Sequence, residues 1–392
     1  MHTIITASSP PGLGSAPYVS IGIIAWNEQD AIAPTITSLL RQTLFERLAS
    51  RHLVAEIVCV ANGCTDATVA VATKTFSSLL AQHTHRDHII ARVADLSERG
   101  KVHAWNQFVH SISARESRFL FLMDADIIIH RPQTLANMLQ TLEQDQQASV
   151  SVDRPCKHLE FQARKSCRDR LSLAAAQMTT AAPAQLCGQL YCMRSDIARS
   201  IYLPRDLSAC EDGLIKVLVC TDLLTQPVNP GRIQLAPDAA HTFEAYTSPA
   251  DILKNQKRQT IGQTLIHILV DQHLKRLSLP ERINLAETLR NREASDPHWL
   301  RKLTAEHLRQ TRYFWRLYPG LVRHRFTRLK TLPPLKRLAC LPAAAAGSCA
   351  GLAAAFLASR HLKRGLIEYW PQARRAGLDP LEPATQPQPP AH

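Results

Sequence analysis

From Val19 onward, short apolar runs alternate with longer segments of helical spacing. VSIGIIAW (19–26) is uncharged and rich in β-branched residues, the composition of a strand covered on both faces. DAIAPTITSLLRQ (30–42) follows with helical periodicity, and Pro34 is tolerable there only near the first turn. The pair repeats: LVAEIVCVA (53–61) predicts a second strand and DATVAVATKTFSSLL (66–80) a second helix. HIIARVADL (88–96) predicts a third strand, and KVHAWNQFVHSI (101–112) a helix with Val102, Trp105, Val109 and Ile112 on one side. RFLFLMDAD (118–126) predicts a fourth strand. Strands alternating with helices in this way imply βαβ units and a mostly parallel α/β sheet.

Beyond residue 150 the pattern loosens. LEFQARKSCRDRLSLAAAQMTTAA (159–182) reads as a helix, LCGQLYCMRSDIARSI (186–201) as strand, turn and helix, and the chain from about Asp251 as mainly helical and basic. ACLPAAAAGSCAGLAAAFLAS (339–359) is uncharged over a length that would cross a bilayer, but it is mostly alanine and both flanks are basic. It fits a membrane-associated helix or a small-residue helix packed on the domain. The Pro-rich end, DPLEPATQPQPPAH (379–392), predicts a disordered tail. The expected organisation is a flexible arm over 1–17, an α/β domain over 18–265, and a helical region over 266–378 with its candidate membrane helix at 338–359.

A hydrophobic fraction of 45% excludes a disordered chain, and 392 residues suffice for a substantial core. The formal charge of +13 favours anionic partners such as phosphates, nucleic acid or acidic lipid. The 10 cysteines form no CxxC pair, which argues against a zinc ribbon or thioredoxin-type site and for reduced thiols in the cytoplasm. The N-terminus has no basic start followed by a long apolar run, so it does not read as a signal peptide.

The candidate chemistry collects at predicted strand ends. In an open parallel sheet, ligands bind beyond the carboxyl ends of the strands. WNE (26–28), ANGCTD (61–66), RGK (99–101) and DAD (124–126) follow strands one to four, and all four should open onto one rim. Trp26, Asn27, Glu28 and Asn62 can meet a base or ribose. Lys101, at a helix start, offers a phosphate its charge beside free backbone amides. If the strand stays extended through Asp126, the carboxylates of Asp124 and Asp126 share a side and call for a divalent cation such as Mg²⁺ or Mn²⁺. If it stops at Met123, they cap a turn. Glu211 and Asp212, ahead of an apolar helical run, suit that helix's dipole as readily as they suit catalysis.

These stretches together resemble family 2 glycosyltransferases of the GT-A fold. VSIGIIAWNEQDAI, EIVCVANGCTDATVAVA, ERGKVHAWN, FLFLMDAD, CGQLYCMRSDI and SACEDGLI arrive in that family's order over roughly 18–265. The resemblance implies inverting transfer of a sugar from a nucleotide diphosphate, commonly UDP, to an acceptor hydroxyl, with Mn²⁺ or Mg²⁺ as cofactor. Asp124 and Asp126 would bind ribose and metal. Asp212, with Glu211 beside it, would supply the general base. Asn62 stands where the family often has an aspartate contacting uracil, and Asp66 would support that loop. Gly188 would let backbone approach the substrate closely, and Arg258 would meet a phosphate. Processive members carry Gln-x-x-Arg-Trp, whereas NQKRQ (255–259) has Asn255 for the glutamine and Gln259 for the tryptophan. A single transfer onto a lipid-linked or small glycan acceptor is therefore expected, in the cytoplasm or at the cytoplasmic face of a membrane.

Rival readings are a nucleotidyltransferase-like enzyme on the same fold and a basic nucleic-acid-binding protein. The first usually has a Gly-rich basic loop after strand one, where WNEQDA stands here. The second needs none of the acidic motifs, and no nucleic-acid partner is expected. His83, His85 and His88 in HTHRDH could hold a metal but read better as a connection between helix and strand. RYFWRLY (312–318) reads as an amphipathic helix.

Overall fold

The computed structural model describes residues 2–8, 16–160, 185–244, 249–310 and 334–364. Its strands are β1 (His2–Ser8), β2 (Val19–Ala25), β3 (Ala55–Asn62), β4 (Ile89–Leu96), β5 (Phe119–Asp124), β6 (Val150–Lys157), β7 (Leu190–Arg194) and β8 (Ile233–Phe243). They form one eight-stranded sheet in the order β1-β4-β3-β2-β5-β7-β6-β8. β4, β3, β2 and β5 run parallel, as do β6 and β8, while β7 is antiparallel to both its neighbours. Every residue of β2, β3 and β5 is buried, which is why these segments read as near-continuous apolar runs.

Helices cover both faces. α1 (Ile32–Leu40), α2 (Leu44–Ala49) and α3 (Thr68–Ala81) pack on one side. α4 (Lys101–Gln107) packs on the other and runs into a π-turn over Phe108–Ile112. Val102, Trp105, Val109 and Ile112 are buried as their spacing predicted. Phe108 joins them because Gly22 leaves room: a Cβ on Gly22 would stand 2.8 Å from the Phe108 ring. α5 (Thr134–Gln144) returns to the face of α1. α6 (Ser195–Arg199), α7 (Glu211–Cys220) and the long α8 (Pro249–Gln272) follow, then α9 (Leu279–Ile283), α10 (Leu285–Ser295), α11 (Trp299–Gln310) and α12 (Pro334–Lys363).

Two boundaries differ from expectation. Residues 2–8 of the expected flexible arm form β1, which pairs antiparallel with β4 and completes that sheet edge. The division drawn at 265/266 falls inside α8, a single helix that packs against α7, α11 and α12. α12 contains 339–359 and packs on α8 and α11, with Ala354, Ala355, Ala358 and Leu362 buried. Among the described residues no helix is long and apolar enough to cross a membrane. Residues 161–182 of the predicted helix, 312–318 and 379–392 lie outside the described residues.

Candidate active site

Parallel pairing brings the carboxyl ends of β2, β3, β4 and β5 to one rim. The antiparallel β7 starts at that rim, because Leu190 pairs with Met123. The Asp124 amide donates to Gln189 O at 2.9 Å, which sets Gly188 beside the end of β5. α7 begins at Glu211, preceded by Cys210 in the left-handed region (φ 61°). That turn aims the first helical residues, Glu211 and Asp212, at the same point. A Cβ on Gly188 would stand 3.2 Å from Glu211 Oε1 and 3.4 Å from Asp212 Cβ, so only a glycine lets these segments meet without displacement.

Lys101 sits at the centre. Its Nζ lies 2.7 Å from Asp124 Oδ1 and 2.9 Å from Glu211 Oε1, and it donates to Gly188 O at 3.2 Å. Burial opposes the lysine charge, but Asp124 and Glu211 outweigh it and hold Lys101 above its ordinary range. Burial pushes Asp124 up to about 6, with Lys101 pulling the other way and Asp126 adding to the rise. Burial also raises Asp126, against the pull of Lys101. Glu211 would be raised by burial as well, yet Lys101 keeps it below the usual carboxylate range. Asp212 is pushed up to about 6 by burial and by the charge of Glu211 next to it. Its Oδ1 accepts from the Gly213 amide at 2.8 Å, and the residue remains partly open to solvent.

The two aspartates of DAD differ in setting. β5 ends at Asp124, and residues 125–126 form a turn in which the Ala125 amide donates to Ile24 O at 3.2 Å. Asp126 therefore lies just past the strand rather than on its extended continuation. The pair fits a divalent ion: both carboxyls are raised by burial, and Asp124 Oδ1 takes no hydrogen bond beyond the ion pair with Lys101. Among the described residues no group of three or more His, Cys, Asp and Glu side chains is arranged to hold a metal by itself. Further ligands would come from phosphate oxygens or water.

The loops after β2 and β3 form the other wall, and their polar groups largely bind each other. Asn27, in a left-handed conformation, accepts from the Thr65 amide at 2.8 Å and donates to Thr65 Oγ1 at 3.1 Å. Asp66 Oδ1 accepts from the Thr68 amide and hydroxyl at 3.0 and 2.5 Å, and its Oδ2 from the Gln29 amide at 3.2 Å. The Glu28 amide donates to Thr68 Oγ1 at 2.7 Å. Asn62 does not face the rim as the base-contact reading requires. It is fully buried, donating to Ala25 O at 2.6 Å and accepting from the Gly100 amide at 2.9 Å, so both ends of its amide are used internally. It instead ties the β2 end to the start of α4. Trp26 is half-buried and stacked by Arg99, whose Cζ lies 3.6 Å from the ring centre. Gly63 permits this loop to pass: its φ is +63°, and a Cβ there would meet Arg99 N at 2.8 Å.

Arg258, on α8, lies close enough to Glu211 to help lower it. α8 is held there by Gly262, where a Cβ would stand 2.6 Å from Ala209 O. Sequence reasoning missed one buried pair. His241 of β8 meets Asp153 of β6 at 2.7 Å, its Nε2 lies 3.3 Å from Gln189 Oε1, and its charge when protonated would favour ionised Asp126. No local motif marks these residues, since only the parallel pairing of β6 with β8 joins them. The histidines of HTHRDH serve the connection. His83 Nε2 meets Leu40 O at 3.0 Å, His83 Nδ1 accepts from the His85 amide at 3.1 Å, and His88 Nδ1 meets Leu53 O at 2.9 Å.

Residues 20–186 match the model of the family Glycosyl transferase family 2. No curated protein matches the chain. Among solved structures, TarS 1–349 from S. aureus is similar at 16% identity over 92% of this chain and 94% of that one, with a TM-score of 0.41. Its complex with UDP matches at 17% identity over the same shares, with a TM-score of 0.40. Glucosyl-3-phosphoglycerate synthase from Mycobacterium tuberculosis, in complex with Mn²⁺, UDP and phosphoglyceric acid, is similar at 15% identity over 67% of this chain and 80% of that one, with a TM-score of 0.42.

Proposed function

We propose, from the premise that residues 20–186 belong to glycosyltransferase family 2 and the chain is a glycosyltransferase, that it moves one sugar from a UDP-type donor to an acceptor hydroxyl with inversion. The observation that carries this reading is the convergence of Asp124, Lys101, Glu211 and Asp212 at one rim, with Asp126 two residues beyond the end of β5. The loop residues Trp26, Asn27 and Glu28, with Arg99, form the wall available to the nucleoside. Asp124 and Asp126 would hold Mn²⁺ or Mg²⁺, which when bound supplies positive charge toward the departing diphosphate. Lys101, 2.7 Å from Asp124 Oδ1, would add a second positive charge, and Arg258 is a further cation near the acidic pair.

Asp212 takes the acceptor proton. A carboxyl pushed up to about 6 is ionised at neutral pH yet more basic than an ordinary aspartate. As the acceptor oxygen bonds to the anomeric carbon, the bond from that carbon to the diphosphate oxygen breaks, and the hydroxyl proton passes to Asp212. Glu211 sustains this arrangement by raising Asp212 while pairing with Lys101. Gln259, in place of the tryptophan of processive members, supports a single transfer. The acceptor is lipid-linked or a small glycan.

The test is turnover of a panel of UDP-sugars with Mn²⁺, reading UDP release and the anomeric configuration of the product by NMR. Release that depends on acceptor, with inversion, supports the proposal. Retention of configuration contradicts it.

A further inference from the structure

α12 has two faces of different character. Toward the protein it places Ser348, Ala354, Ala355, Ala358, Ser359 and Leu362, all buried. Outward it places Leu341, Cys349, Leu352, Phe356 and Leu357; Phe356 is 47% exposed and Leu352 41%. The exposed positions recur at helical spacing, so they form one stripe of about 24 Å at 1.5 Å per residue. Its ends are basic. Arg337 is exposed at one end, and Arg360, Lys363 and Arg364 at the other, with Arg360 5.9 Å from the Phe356 ring. Not one Asp or Glu occurs from Pro334 to Arg364.

We propose that this outward face docks the protein on an anionic lipid surface, with α12 lying in the interfacial plane. An apolar stripe between cationic ends is what such a surface selects, since acyl chains take the leucines and phenylalanine while phosphate headgroups meet the arginines and lysine. The helix does not cross the bilayer, because its opposite face is already buried against α8 and α11. A protein partner fits the face less well. Exposed Ala345 and Ala353 interrupt the stripe, and there is no Trp or Tyr to anchor an interface. The inference deepens the functional reading by placing the acceptor at that surface. It is measured without sugar transfer, so either reading can fail alone.

The experiment is co-sedimentation of the full chain with vesicles of phosphatidylcholine alone and of phosphatidylcholine with phosphatidylglycerol. Docking predicts binding to the mixed vesicles that weakens with salt, and little to the neutral ones. It also predicts a roughly 25-fold loss for R360Q/K363Q, from about fivefold per charge. L352E/F356E should lose binding while retaining the parent's melting temperature. If that variant misfolds, the salt titration and R360Q/K363Q still decide. Absence of binding, equal binding to both vesicle types, or unchanged binding by the charge variant overturns the proposal. A dimer that L352E/F356E dissociates, without vesicle binding by the parent, assigns the face to a second copy instead.

Discussion

Lys101 Nζ lies 2.7 Å from Asp124 Oδ1, joining the residue that opens α4 to the one that ends β5. Since Glu211 closes on the same ammonium at 2.9 Å, one buried cation balances acids from two distant segments. Breaking such a pair by removing one partner strands the remaining charges. Lys101→Met should lose about 3–5 kcal/mol of stability, measured by urea unfolding at neutral pH. Adding Asp124→Asn to it should recover part of that loss, and an equally stable single variant would exclude the balance described.

Asp212→Asn removes the proposed proton acceptor without changing size. Turnover should fall by roughly 10²–10⁴ while the donor dissociation constant stays within a few fold. Single-turnover kinetics with calorimetry separate the two quantities, and parental turnover would exclude Asp212 as base.

The rate should depend on pH with a definite sign. Below about 6 Asp212 carries a proton and cannot accept another, so turnover should rise with pH through that range and level off above it. Asp124 titrates in the same range, so the observed midpoint belongs to the group rather than to one residue. Glu211→Gln removes a negative neighbour, which favours ionised Asp212 and should move the rising limb to lower pH in the residual activity. A limb that moves upward would contradict the electrostatic assignment.

Gly262→Ala tests the placement of α8. Its Cβ would stand 2.6 Å from Ala209 O, a backbone atom next to the Cys210 turn that aims Glu211 and Asp212. Overpacking of this kind costs about 1–3 kcal/mol, so the melting temperature should fall, and turnover should fall with it. A variant as stable and active as the parent would show that the base does not depend on this contact.

The inner strands and their rim were legible because parallel strands buried on both faces leave near-continuous apolar runs. Lys101, Asp124 and Asp212 could be chosen because each sits in a short motif at a strand end or helix start. What escaped depends on distant pairing. β1 is visible only once β4 offers its edge, and His241 meets Asp153 only through the β6–β8 pairing. Asn62 was misjudged because a polar residue at a strand end can face ligand or protein, and the Gly100 amide decides which. The 265/266 boundary failed because α8 is a single helix packed on both sides of it.

On the proposed function, this rim clasps a divalent ion together with a nucleoside diphosphate. Calorimetric titration of UDP with and without Mn²⁺, on the parent chain and on Asp126→Asn, tests it most directly. Binding by the parent that tightens with Mn²⁺, and loss of that metal dependence in Asp126→Asn, is the predicted result. UDP affinity that is indifferent to Mn²⁺, or equal in the two proteins with Mn²⁺ present, would contradict it.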